Sequence, residues 1–156
     1  MIILGIDPGL HICGYAVIDI DKNSMKLLEA GVCRTNTKLV IEKRLVQIAQ
    51  DINSLLEKFN PQYMSVEELY SHYAHPKTAI LMGHARGVIL ASACKNGTNV
   101  RSFAATRIKK SLTGNGRASK LQMQSSIKSM LGLAKIPEPA DVADAIAAAL
   151  CCANSL

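Results

Sequence analysis

The chain has 156 residues, 49% of them hydrophobic, which suits a globular protein with a sizeable core and no low-complexity stretch. The most apolar late segment, residues 142–153, is too short to span a bilayer and contains Asp144, and the apolar start has no basic region before it, so neither a membrane span nor a targeting peptide is expected. Five cysteines without a Cys-x-x-Cys pair speak against a disulfide scaffold, and the adjacent Cys151-Cys152 is poor zinc-ligand spacing, so reduced thiols and a cytoplasmic setting are expected.

Residues 2–7 form a short apolar run ended by Pro8-Gly9, which predicts a buried strand entering a tight turn. Asp7 at its end either shapes that turn or needs a partner, because an ionised carboxylate is costly to bury alone. Residues 13–20 and 25–34 are rich in strand formers and are separated by the turn-like Asp21-Lys22-Asn23-Ser24. With residues 2–7 they predict a three-stranded antiparallel meander. Leu45, Ile48, Ala49, Ile52, Leu55, Leu56 and Phe59 recur at helical spacing, and Asn60-Pro61 stops that helix. Residues 63–67 form a short strand ending at Glu67, and the switch to strand-helix alternation predicts parallel pairing from there on.

A helix is expected from Pro76 to Lys95. Its Ala79, Gly83, Gly87 and Ala91 fall four apart and leave one face nearly bare, which calls for close approach by the domain's own sheet or by a second subunit. Residues 100–103 predict a fifth strand, 105–112 a short helix and 113–117 a Gly-rich loop. Two further helices, 119–132 and 140–153, complete an α/β fold: one mixed sheet, three antiparallel strands followed by parallel ones, with helices against its faces. The whole chain, 1–156, is expected to be a single domain.

The net charge of +6 is unevenly spread. Residues 101–137 contain Arg101, Arg107, Lys109, Lys110, Arg117, Lys120, Lys128 and Lys135 and no acid, a local positive field suited to a polyanion such as nucleic acid. Gly114-Asn115-Gly116 either cradles a phosphate with backbone N–H groups, Arg117 and Lys120 adding charge, or is an ordinary turn. Against this block stand four acids. Asp7 and Glu67 end strands, so their carboxylates meet at one sheet edge if those strands are neighbours. Asp141 and Asp144 share one face of the last helix. Acids so gathered repel one another unless cations bridge them, and oxygen-only ligands suit Mg²⁺ or Mn²⁺. A carboxylate cluster holding two such ions is apparatus for phosphodiester hydrolysis.

Several stretches carry a family resemblance: Gly5-Ile6-Asp7-Pro8-Gly9 with Gly14-Tyr15, Val66-Glu67-Glu68, and Gly83-x-Ala85-Arg86-Gly87. Further on stand Thr113-Gly114-Asn115-Gly116-Arg117-Ala118-Ser119-Lys120 and Ala140-Asp141-Val142-Ala143-Asp144-Ala145. In this order and spacing the chain resembles, over essentially its whole length, the RuvC family of Holliday-junction resolvases. The resemblance implies a ribonuclease-H-like nuclease domain and an endodeoxyribonuclease that resolves four-way DNA junctions in recombination and repair by paired symmetrical nicks. It implies that Asp7, Glu67, Asp141 and Asp144 are a metal-binding catalytic quartet for two Mg²⁺, with Mn²⁺ able to substitute. Lys109 and Lys120 fall where the family contacts the scissile strand, and Tyr70 where it has an aromatic that stacks on a base. A homodimer and a branch-migration motor partner are implied as well. The run Tyr70–Pro76 departs from the family pattern and is about one residue longer, and Cys151-Cys152 stands where a His is common. A junction-binding module without hydrolysis, an actin-like ATPase and an enzyme acting on RNA are the competing readings. The acid quartet disfavours the first and the length the second, and Lys109, Lys120, Tyr70 and the Asp-x-x-Asp helix disfavour the third.

Overall fold

The structure is a computed structural model and describes residues 1–22, 24–69 and 76–156. The chain runs β1 (Ile2–Asp7), β2 (Ile12–Asp21), β3 (Ser24–Arg34), α1 (Ile41–Phe59), β4 (Tyr63–Glu67), α2 (Pro76–Lys95), β5 (Asn99–Phe103), α3 (Ala105–Thr113), α4 (Lys120–Leu131) and α5 (Ala140–Ala153). The strands form one sheet in the order β3-β2-β1-β4-β5. The first three pair antiparallel as the expected meander, Asp21 opposite Ser24 at the hairpin, and β4 and β5 add in parallel.

Strand residues alternate between two helix layers, as the period of two requires. Leu4, Ile6, Val17, Met64 and Val66 pack with Ile48, Ile52, Ala85 and Ile89 of α1 and α2. Ile3, Ala16, Ile18 and Phe103 pack on the other face with α3, α4 and α5. The central element of that second layer is α5. It buries Val142, Ala143 and every residue from Ala145 to Cys152. Fully burying residues such as Ile146 and Leu150 is worth roughly 1.5–3 kcal/mol each.

Helix boundaries follow local chemistry. Asn60, at φ 44°, takes the left-handed cap of α1 and donates its N–H to the Leu56 carbonyl, which a short polar side chain tolerates. Ser119 and Gln122 form a reciprocal capping box at the start of α4. The start of α1 lies four residues before Leu45, at Ile41, because its N-cap Val40 supplies no side-chain cap to mark it.

The bare stripe of α2 does not face the sheet. Among the described residues a Cβ on Gly83 or Gly87 would meet nothing within 4 Å, and α2 buries Ala85, Ile89, Ser92 and Ala93 instead. The domain's own sheet is therefore excluded as the element that approaches this stripe.

Candidate active site

The parallel register of β1 and β4 sets Gly5 opposite Ser65 and Ile6 opposite Val66, so Asp7 and Glu67 end adjacent strands at the same edge. Both lie on the face of Ile3, Gly5 and Ser65, the face that α5 covers. That helix comes unusually close. A Cβ on Gly5 would stand 2.1 Å from the Ala145 carbonyl oxygen, and one on Gly14, the antiparallel partner of Asp7, would stand 2.0 Å from that of Asp141. Only glycine permits either approach. Ser65 adds a fixed point, its hydroxyl donating to the Ala148 carbonyl at 2.6 Å. Sheet and helix thus bring Asp141 and Asp144 over the strand ends that carry Asp7 and Glu67.

The carboxylates register this crowding. Asp7 is pushed up to about 7 by burial first, then by the negative charges of Asp144, Glu67 and Asp141, with Lys120 opposing. Burial and Asp144 raise Glu67, against Lys109. Burial raises Asp144 too, Asp141 adding to it and Lys120 and Lys109 pulling the other way. Among the described residues no salt bridge neutralises any of the four, the two present being Met1–Asp19 and Lys58–Glu29. Glu67 and Asp144 line a cavity of about 210 Å³ together with Lys109 and Lys120. On its other side Glu67, with Asp7 and Pro8, borders a larger and more apolar hollow of about 620 Å³ that Leu69 and Met82 also line.

Among the described residues no three His, Cys, Asp or Glu side chains form a ready-made metal cage. The donor set nevertheless has the chemistry of a hard-cation site: four carboxylates, unpaired and repelling, with no sulfur or imidazole among them.

A family model described as crossover junction endodeoxyribonuclease RuvC matches residues 3–152. The chain belongs to the RuvC family. The crossover junction endodeoxyribonuclease RuvC of Rhodopirellula baltica is 48% identical over 149 residues, which cover 96% of this chain and 84% of that protein. That of Alkaliphilus oremlandii is 40% identical over 155 residues, 99% of this chain and 94% of its own. The structure of Thermus thermophilus RuvC in complex with Holliday junction substrate is similar at a TM-score of 0.94 and 29% identity, covering 99% of this chain and 94% of that one. The mixed sheet is the ribonuclease-H-like arrangement of these RuvC structures.

In this RuvC-family chain the expected site residues are not all brought together. Lys109 and Lys120 stand beside the acids, whereas Arg117 is exposed and none of the carboxylate shifts is traced to it. Tyr70, with Tyr73, His72 and His75, lies outside the described residues. Nor is the basic block one uniform surface: Arg101 stacks on Tyr63 at 5.2 Å and Arg107 on Phe103 at 5.0 Å. Of the two readings of the Gly-rich loop, the ordered turn is the one its internal hydrogen bonds favour. The N–H groups of Gly114, Asn115, Arg117 and Ala118 are all bonded internally, to Lys110, Thr113 and Asn115.

Two arginines carry roles that pattern reading missed. Arg44 of α1 donates to Thr35 Oγ1 at 3.0 Å and to the Leu10 carbonyl at 3.2 Å, pinning the loop that follows Asp7. Arg86 of α2 donates to the Glu67 carbonyl at 3.3 Å and to Ser102 Oγ at 2.8 Å. A basic residue within a helix stretch whose neighbours are apolar or small was the available signal for Arg86.

Proposed function

We propose that this RuvC-family chain is a structure-specific endonuclease that resolves four-way DNA junctions by paired nicks, working as a single nuclease domain. The observation that carries the reading is a group of four unpaired acids whose charges bear on one another, two of which, Glu67 and Asp144, line one cavity with Lys109 and Lys120. Asp7, Glu67, Asp141 and Asp144 are the residues that would hold two Mg²⁺ ions, with Mn²⁺ as a substitute. When bound, such a pair supplies an activated water and charge stabilisation for the leaving 3′ oxygen.

The protein's own groups do the rest. Strand ends and α5 gather the carboxylates before substrate arrives, so little reorganisation remains for the chemical step. Lys109 and Lys120 take the phosphates flanking the scissile bond, Arg117 contacts the backbone further out, and Tyr70 stacks on an unpaired base near the crossover. Apolar walls beside Glu67 limit water around the reacting phosphate. Two-fold symmetry of the junction matches a homodimer, for which the exposed Gly83 and Gly87 stripe of α2 is the proposed seam. A branch-migration motor is the proposed partner in the cell. Among the described residues no helix is long and apolar enough to cross a membrane, and the proposed setting is the cytoplasm.

The test uses purified protein and Asp7→Asn on a mobile four-way junction and a matched duplex, with Mg²⁺ or with EDTA. Paired symmetrical nicks confined to the junction, dependent on Mg²⁺ and absent from Asp7→Asn, are expected. Tight junction binding without nicks in Mg²⁺ or Mn²⁺ would replace the nuclease with a binding module.

A further inference from the structure

Glu67 is the last residue of β4, where the sheet holds the backbone on one side only. Pairing with β1 ends one residue earlier, at Ile6 opposite Val66. Toward β5 the ladder continues, Glu67 opposite Phe103 and the Glu68 N–H donating to the Phe103 carbonyl at 3.0 Å. The Glu67 carbonyl is met from α2 instead. Arg86 Nε donates to it at 3.3 Å, and Nη2 of the same guanidinium donates to Ser102 Oγ of β5 at 2.8 Å. One planar fork therefore ties the ends of two adjacent strands, and its fixed donor geometry constrains direction as well as distance.

Arg86 acts on the backbone of Glu67, not on its charge. The charges that move the Glu67 carboxyl are those of Asp144 and Lys109. Geometry explains the separation: the Glu67 side chain lies on the α5 face, while Arg86 comes from the layer of α1 and α2. The pattern repeats at the neighbouring strand, where Arg44 of that same layer pins the Leu10 carbonyl, three residues after Asp7. The end of the Glu67 strand and the loop that follows Asp7 are thus both held from the side of the sheet opposite the site.

We propose that Arg86 is a positioning residue: by holding the Glu67 carbonyl and the Ser102 hydroxyl, it sets where the Glu67 carboxylate enters the site, without touching DNA. The proposal rests on the reading of Glu67 as a metal-binding acid. Its leverage comes from the narrow tolerance of catalytic geometry, in which a misplacement of about 1 Å costs up to roughly a hundred-fold in rate.

The experiment measures four quantities on Arg86→Gln, Arg86→Lys, Ser102→Ala and Glu67→Gln. These are single-turnover junction cleavage across a Mg²⁺ titration, junction affinity in Ca²⁺, melting temperature, and amide exchange in the metal-free protein. Arg86→Gln is expected to slow cleavage roughly ten- to a hundred-fold and to need more Mg²⁺ for half its maximal rate. Junction affinity should stay within about two-fold of wild type, separating a chemical-step defect from a binding one. Exchange should quicken at the Glu68 amide but not at Ile48 or Ile52 in α1, a local loosening. Arg86→Lys should recover part of the rate, and Ser102→Ala, which keeps the guanidinium, should fall between and carry the test if Arg86→Gln does not fold. A wild-type rate and Mg²⁺ dependence in Arg86→Gln would overturn the proposal. So would a loss of affinity as large as the loss of rate, which would make Arg86 a DNA contact, or faster exchange throughout, which would make it a general stabiliser. An inactive Glu67→Gln beside a normal Arg86→Gln removes this proposal alone, whereas an active Glu67→Gln removes the reading of the site and this proposal with it.

Discussion

Gly14 lies directly beneath Asp141: a Cβ on Gly14 would stand 2.0 Å from the Asp141 carbonyl oxygen. Because Gly14 is also the register partner of Asp7, this contact joins an acid-bearing strand end to the helix that carries the other two acids. Gly14→Ala must push α5 away from the sheet, at a cost of roughly 1–3 kcal/mol for overpacking. Thermal melts should show a loss of about 2–4 °C per kcal/mol. Junction cleavage, measured well below the melt, should fall by more than the folded fraction does, because Asp141 moves with the helix.

The acids themselves should separate chemistry from binding. Glu67→Gln and Asp144→Asn are each expected to reduce cleavage by roughly 10²- to 10³-fold, as removing one charge-stabilising group does. Junction affinity should hold or improve, since each change removes a negative charge facing a polyanion. Cleavage assays and gel shifts on the same junction check both halves.

Metal-free Asp7 makes a pH prediction with a definite sign. Its carboxyl is raised from 3.8 to about 7 in the folded chain, so between those values the native state binds the extra proton. Stability from this group is full below about pH 4 and is lost as pH rises through about 7. Asp7→Asn should therefore be more stable than wild type at pH 8 in EDTA, by on the order of 1–3 kcal/mol. The advantage should fade toward pH 4 as wild-type Asp7 takes up its proton. Mg²⁺ should narrow the gap at pH 8 by binding the folded wild type. Denaturant melts at the two pH values, with and without Mg²⁺, decide it.

Lys109 and Lys120 face the acids, and Arg117 does not. Lys109→Ala and Lys120→Ala should each lower junction affinity and reduce the slope of log affinity against log salt by about 1. They should also slow cleavage at saturating enzyme, because each lysine offsets charge at the carboxylates. Arg117→Ala should lower affinity and the salt slope but leave the cleavage rate at saturating enzyme unchanged. Salt titrations of binding beside single-turnover rates distinguish the two classes.

The open stripe of α2 predicts the opposite of a core defect. Among the described residues Gly87→Ala meets no atom within 4 Å, so it should leave the protomer intact or strengthen the helix by roughly 0.5–1 kcal/mol. Gly87→Leu should keep the circular dichroism of wild type while weakening the proposed dimer. Sedimentation across a dilution series measures that.

Pattern reading served well where one local rule acts alone. Short runs of apolar and strand-forming residues bounded by turns located β1 to β5, and the apolar spacing of Leu45 to Phe59 located α1, because each is decided by its own side chains. Asp7 and Glu67 were legible as a pair for the same reason: both close a short apolar run. What stayed hidden depends on contacts between distant residues. Arg101 and Arg107 read as part of a phosphate track, yet Tyr63 and Phe103 occupy their faces. The 113–117 loop offered backbone donors on paper, and Thr113 Oγ1 and Asn115 Oδ1 take up those of Asn115 and Arg117. Gly5 and Gly14 looked like parts of a motif, and only the approach of α5 reveals why a methyl group is forbidden there. Arg86 belongs with them, since a guanidinium's target on another strand leaves no trace in spacing.

The alanine-rich helix α5 has a consequence for how this protein should wear out. Its buried length is the keel of the second layer, and its first turns carry Asp141 and Asp144. Many enzymes lose activity on warming well before they melt, because their working parts sit on loosely attached segments. Here two of the proposed metal-binding acids ride on a helix that is buried from Ala145 to Cys152. Heat inactivation of cleavage should therefore track global unfolding degree for degree, with no cooler temperature at which the fold survives and those acids have drifted apart.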